Sequence, residues 1–450
     1  MIAENFKRHH VDSRNDLMCQ ISVNVFVSCF SLRSLRLCVR SLPLLLLLVA
    51  VSPAEDWPQY RGPRGDGTWQ GPQLPEKWPE AGLKQLWKRE IGGGYAGISV
   101  VGDLVYTLDR QKPPEERERI LCFHADTGEL VWSHEYPVEY GKLDYGNGPR
   151  ATPTVHEGKL YSVGAVGDVR CLDAKSGEVF WKFHYVRDFA GRLPMWGFAG
   201  SPVIQGDYCY LSPGNANGAS VIAVDKNNGI ELWRSLSDEA GYATPIVYRA
   251  HDRDQLFCWT PSHLRCLDAT TGELFWSHPY EITYGVSIAK PIMQEGIVFI
   301  AGYWDGAKAI QLGDTPQSAK LTWEDSRHLR GLMSQPLFRD GLVYLLDKSH
   351  GLTCFELQTG KKLWDDNSQM TPRGRNPHAS LVWLGDKTDR AIILNEEGDL
   401  ILARLNKSGY HETSRTKIID FTWAAPAFAG DRVYARSDTE IVGVSLVNMK

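Results

Sequence analysis

The sequence carries little excess charge of either sign, 49 Lys and Arg against 54 Asp and Glu in 450 residues. A formal charge of −5 argues against a nucleic-acid binder working through bulk positive potential. Cysteine is sparse, nine in all, with no two adjacent and no Cys-x-x-Cys or Cys/His cluster at zinc spacing. That speaks against structural zinc. A phosphate-cradling Gly loop, a nucleophile elbow, a kinase signature and an Asp-x-Asp-x-Asp-Gly calcium loop are also missing. Gly92-Gly-Gly94 has no Gly-Lys-Ser/Thr after it and reads as a turn.

Long apolar runs are scarce too. One spans residues 42–51, interrupted only by Pro43, preceded by Arg33, Arg36 and Arg40 and followed by Ser52-Pro53-Ala54. The charged flank, short apolar stretch and small residues before a cut have the form of a secretory signal peptide, too short to span a bilayer. Residues 1–54 are therefore expected to be removed on export, with Met18 the nearest alternative start. No Cys stands at the expected cleavage point after the run, so no lipid anchor is expected. Without residues 1–54, 43 basic residues stand against 51 acidic ones.

What the sequence has in excess is tryptophan, 15 residues with none before Trp57. Their placement follows a repeat. The phrase Cys171-Leu-Asp-Ala-Lys-Ser-Gly-Glu-Val-Phe-Trp181 recurs ending at Trp132, Trp276 and Trp364, more loosely at Trp233, and in part at Trp323. Each copy reads as a short strand, a Gly turn and a second strand ending in Trp, preceded by another hairpin such as Thr154-Val-His-Glu-Gly-Lys-Leu-Tyr-Ser162. Including Trp87, the terminal Trps lie 41 to 52 residues apart, the period of a four-stranded propeller blade rather than a helical repeat. After Trp364 a degenerate unit, 380–420, ends in a strand at Lys417-Ile-Ile-Asp420 without Trp, and the C-terminus supplies three strands of another. The missing fourth strand is available at residues 84–88. The expected fold is all-β, an eight-bladed propeller over residues 84–450, closed by pairing that N-terminal strand with the C-terminal blade, and preceded by a leader at 55–83.

The repeated phrase resembles the pyrroloquinoline quinone (PQQ) repeat, or quinoprotein-like, propellers across about residues 84–450. The leader Asp56-Trp-Pro-Gln-Tyr-Arg-Gly-Pro-Arg-Gly-Asp-Gly67 looks like that of an exported subgroup. Its Arg64-Gly-Asp66 reads as a chance tripeptide in a Gly turn. The resemblance implies that the blade-end Trp docks between blades. It also raises a PQQ-dependent alcohol dehydrogenase, whose family pattern has an adjacent cysteine pair under the quinone and a Glu/Asn/Asp set around calcium. The cysteine pair is absent here. Cys122, Cys171, Cys266 and Cys354 occupy equivalent positions about 10 Å apart, too far for disulfides, and read as small core residues. Asp126, Asp173, Asp225 and Asp268 read as carboxylates that hold the Gly turns. The mixed-sign stretch at 110–119 reads as a solvated loop.

In a four-stranded meander the tight turns share one face, and the longer loops, here 137–150, 186–198, 212–218 and 365–378, share the other. Binding is expected there. One aligned position per blade, just before the innermost strand, holds Tyr95, Arg150, Ala199, Tyr242, Ile288, Met333, His378 and Trp423. These form a ring at the channel mouth, with Trp196, Phe198, Tyr284, Arg330, Arg373 and Arg375 nearby. Arg beside aromatics suits an anionic or planar ligand or a peptide hot spot, although aromatics also plug channels. The selected binding set is Tyr95, Arg150, Trp196, Tyr242, Arg330, His378 and Trp423. The expectation is an exported, periplasmic or extracellular, monomeric scaffold that binds a protein or carbohydrate and needs no cofactor. The alternative is a dehydrogenase using PQQ with calcium.

Overall fold

The computed structural model describes residues 55–447 apart from Pro113 and Leu332. The expected signal segment lies outside these residues. Alternating apolar residues between Gly turns build eight antiparallel meanders of four blade strands each, arranged as a propeller. The innermost strands are Ser99–Val101, Thr154–His156, Val203–Gln205, Ile246–Ala250, Ile292–Gln294, Leu337–Arg339, Ala379–Leu384 and Ala427–Ala429, taken as blades one to eight. Gln85–Glu90 pairs antiparallel with Glu440–Ser445, so the N-terminal strand completes blade eight and closes the ring.

The repeated phrase has a steric reason. In blades one, two, three, four and six the third-to-fourth-strand turn puts Gly at positive φ directly under the Trp of the preceding blade. A Cβ on Gly177 would lie 2.7 Å from the Trp132 ring, and one on Gly272 would lie 2.6 Å from Trp233. The indole N–H then donates to a carbonyl of the same turn, Trp132 to Ala174 at 3.1 Å and Trp181 to Lys226 at 3.0 Å. A Tyr from the second strand often shares that carbonyl, as Tyr106 does at Ala174 (3.0 Å). The four seams from blade eight–one to blade three–four are thus fastened by one indole, one phenol and one glycine.

The cysteines behave as small apolar residues, since all six in the described part are free and buried. Asp173, Asp225 and Asp268 each accept two backbone N–H groups of their turns. Asp126 differs from the expectation. It lies two residues later in its turn and pairs with Arg432 across the closing seam. The stretch at 110–119 is also corrected. Half of it belongs to paired strands, Leu104–Gln111 with Arg117–His124, and Asp109 just before it is fully buried under Arg119 (2.8 Å).

Blade seven departs most from the sequence reading. Its outer strand is Gly409–Lys417, not residues 417–420, and Ser414 occupies the register position that Trp fills elsewhere. The leader covers the gap: the Trp78 amide donates to Ser414 Oγ (2.9 Å) and its indole to the Leu400 carbonyl (3.0 Å). Thr68–Trp69 also adds to blade seven as a parallel fifth strand beside Ala379–Leu384.

Candidate functional site

Strand direction sets the two ends of the channel. The ring residues precede the innermost strands, on the loop-rich side. The leader instead bonds farther along those strands, Trp57 to Val100 in blade one, Pro58 to Val155 in blade two and Gly67 to Trp383 in blade seven. The leader therefore floors the channel with Trp57, Tyr60 and Arg61 and leaves an axial cavity of about 210 Å³ above them.

All eight ring positions line this cavity: Tyr95, Arg150, Ala199, Tyr242, Ile288, Met333, His378 and Trp423. Trp196 joins them, its ring centroid 5.2 Å from that of Tyr242. Arg330 does not line it, because its backbone N–H is held by Asp347 (2.9 Å) and its guanidinium by Ser349 (2.9 Å) in blade six. Phe198 packs under Tyr185, and Arg373 turns to Asn367 (2.7 Å). Arg375 lies over the Tyr145 ring at 5.9 Å.

Tyr145 is the main mouth residue that the repeat did not reveal. It stands on the 137–150 loop at φ 62°, in the left-handed region, with its ring between Trp196 (6.2 Å) and Trp423 (5.8 Å). Asn376 from the 365–378 loop donates to its hydroxyl (3.1 Å), so loops from blades one and six meet across the mouth. Tyr95 and Arg150 hold the Tyr145 loop from beneath through its carbonyl oxygens. Arg61 and Trp304 were also missed, since both lie outside the aligned position.

The wall is apolar and aromatic with a few buried polar groups. Burial pushes the Tyr242 hydroxyl up to about 12 and the His378 imidazole down to about 4. His378 Nδ1 lies 3.2 Å from Ser334 Oγ, while Nε2 has no partner among the described residues. Desolvation also lowers the pKa of Arg150. Trp423 donates to Glu396 (3.1 Å), whose carboxyl burial holds above the usual range.

The residues do not fit PQQ with calcium. Among the described residues, the only carboxylate on the cavity wall is the exposed Asp144. Among the described residues, no group of three or more His, Cys, Asp or Glu is placed to hold a metal ion. None of the six described cysteines lines the cavity. No helix among these residues is long and apolar enough to cross a membrane.

Comparisons with known proteins agree with the propeller fold. Tetrathionate hydrolase of Acidithiobacillus ferrooxidans is 23% identical over 250 residues, 51% of this chain but 46% of the hydrolase, so the chain spans under half the length of that relative. Outer membrane protein assembly factor BamB of Yersinia pestis is 22% identical over 60% of this chain and 69% of its own length. A europium-containing methanol dehydrogenase shares the fold at a TM-score of 0.62 and 12% identity, over 87% of this chain and 90% of that one. The family profile described as outer membrane protein assembly factor BamB matches residues 116–366, more than half of the sequence, and the chain belongs to that family of PQQ-repeat β-propellers.

Proposed function

We propose that the chain is an exported, non-catalytic binding propeller that docks a protein partner on its loop-rich face, with the aromatic mouth as the contact centre. The observation that carries this reading is the convergence of Tyr95, Tyr145, Trp196, Tyr242 and Trp423 around one opening, joined by guanidiniums of Arg150 and Arg375. Clustered Tyr, Trp and Arg around a desolvated pocket is the composition of an interface hot spot. Family membership supports the same reading, as its profile is named for an assembly factor.

The test is partner capture from a native extract. Wild type should enrich one protein, and Tyr145→Ala with Trp423→Ala should lose it while melting within a few degrees of wild type. Equal enrichment would move the contact to another face. Titration with PQQ and calcium, followed by a dye-linked alcohol assay, addresses the enzymatic alternative. Stoichiometric binding with turnover would overturn the binding-module reading.

A further inference from the structure

The innermost strands turn one edge towards the channel, and the leader shows what such an edge accepts. Trp57 exchanges two backbone hydrogen bonds with Val100 in blade one (2.8 Å each), and the Pro58 carbonyl accepts the Val155 N–H in blade two (2.8 Å). In blade seven the leader goes further and adds Thr68–Trp69 as a fifth strand. Strand length separates the eight edges. Six innermost strands are three residues long, whereas Ala379–Leu384 of blade seven has six and Ile246–Ala250 of blade four has five. The leader occupies the longer of these two. The other is open.

The register of blade four says which groups are free. Ala250 and Arg253 flank the two-residue turn of its inner hairpin, and the pairing runs back through Tyr248 with Gln255 and Ile246 with Phe257. Val247 and Arg249 fall between those hydrogen-bonded pairs, so they turn N–H and C=O away from the ladder, as Val100 does where it meets Trp57. Among the described residues neither N–H has an acceptor. The Arg249 guanidinium is tied back to Asp254 (3.3 Å) and to the Asp252 carbonyl (3.0 Å) at the turn. Tyr248 and Arg249 are exposed, so this strand carries its free edge out to solvent. Such an edge is a template for a further strand.

The strand borders a polar vestibule of about 370 Å³ on the leader side, which meets the axial cavity at Tyr60, Ser201, Thr244 and Gln335. The charged residues of its wall are Arg64, Asp66 and Lys290. Arg64 pairs with Glu55 (2.6 Å), and Asp66 accepts the Thr68 N–H (2.8 Å). Lys290 donates to the Gly65 carbonyl (2.7 Å) and forms no ion pair among the described residues. Burial, with Arg61 nearby, lowers its pKa to about 8. An incoming carboxylate would supply the partner that this ammonium lacks.

We infer that blade four takes a fifth strand from a partner protein, an extended segment that pairs with Ile246–Ala250 and sets an acidic side chain towards Lys290. This site lies on the leader side, away from the loop-rich mouth, and stands apart from the binding reading above.

The test selects, on the full chain, from a displayed library of random octapeptides held between Gly/Ser flanks at both ends. Enriched peptides should carry Asp or Glu among β-branched residues, and their binding should slow amide exchange at residues 246–250 while leaving the 137–150 loop unchanged. Methylating alternate backbone nitrogens of the peptide should weaken binding about tenfold in one alternation and about twofold or less in the other, the signature of strand pairing. Val247→Pro removes an N–H that the ladder does not use and should weaken binding about as much while melting within a few degrees of wild type. If that variant fails to fold, peptide methylation decides, since it leaves the protein untouched. Lys290→Met should abolish the preference for Glu over Gln in the peptide. No enrichment, equal effects of the two methylation patterns, or an unchanged Glu preference in Lys290→Met would overturn the inference. Exchange protection confined to the loop-rich mouth would support the binding reading above and remove this one.

Discussion

His378 combines two roles, one in the wall of the cavity and one in the stability of blade seven. Its folded-state pKa is pushed down to about 4 by burial, whereas an unfolded histidine titrates near 6.5. Between those values the unfolded chain binds the extra proton, so stability rises with pH across this window and is fully present above it. Falling pH removes it, with a total on the order of 3 kcal/mol. In His378→Gln, which does not titrate, the melting temperature should fall less than in wild type between pH 6.5 and pH 4 by calorimetry. Parallel curves would show that the imidazole is not held neutral. The position of His378 was legible from the repeat, because it occupies the aligned position that lies four residues before the innermost strand in the other seven blades. Tyr145 and Arg61 were not, since both come from segments outside the repeat and both rest at positive φ. Arg330 misled because nearness in sequence to Met333 does not bring it to the mouth. Its amide is tied to Asp347 instead.

At the level of the element, the blade is defined by the contact of one blade's Trp with the next blade's Gly turn. Two glycines of blade two separate the steric part of this contact from backbone strain. Gly177 and Gly158 have nearly the same φ, 74° and 75°, but a Cβ on Gly177 would meet Trp132 at 2.7 Å and one on Gly158 would meet nothing within 4 Å. Gly158→Ala should therefore cost about 1 kcal/mol, the left-handed penalty alone. Gly177→Ala should cost a further ~1–3 kcal/mol as the indole is displaced. Urea unfolding of the two variants measures the difference, and equal losses would reduce the glycine to a backbone requirement. This contact is why the blade count could be read from seven Trps. Blade seven was mis-bounded because its substitute, Trp78, reaches Ser414 across 336 residues of sequence, and no local spacing encodes such a replacement.

For the whole molecule, ring closure and the leader are two devices that depend on each other. Gln85–Glu90 welds the ends into blade eight, and the seam is reinforced by the fully buried Arg436, whose guanidinium reaches the Gly92 carbonyl (2.8 Å) and that of Leu108. The leader then packs Trp57, Trp69 and Trp78 into the joined core of blades seven, eight and one, where they are 2%, 0% and 6% exposed. Truncating one buried Trp typically costs about 3–5 kcal/mol. Losing three together approaches the ~5–15 kcal/mol by which a domain is stable at all. A chain beginning at Leu83 keeps the closing strand but should lack a cooperative thermal transition, and a peptide of residues 55–82 added in trans should restore it in a concentration-dependent way. If the shortened chain instead unfolds cooperatively near the wild-type temperature, closure by the outer strand is sufficient. The leader would then serve the molecule mainly as the floor of its cavity.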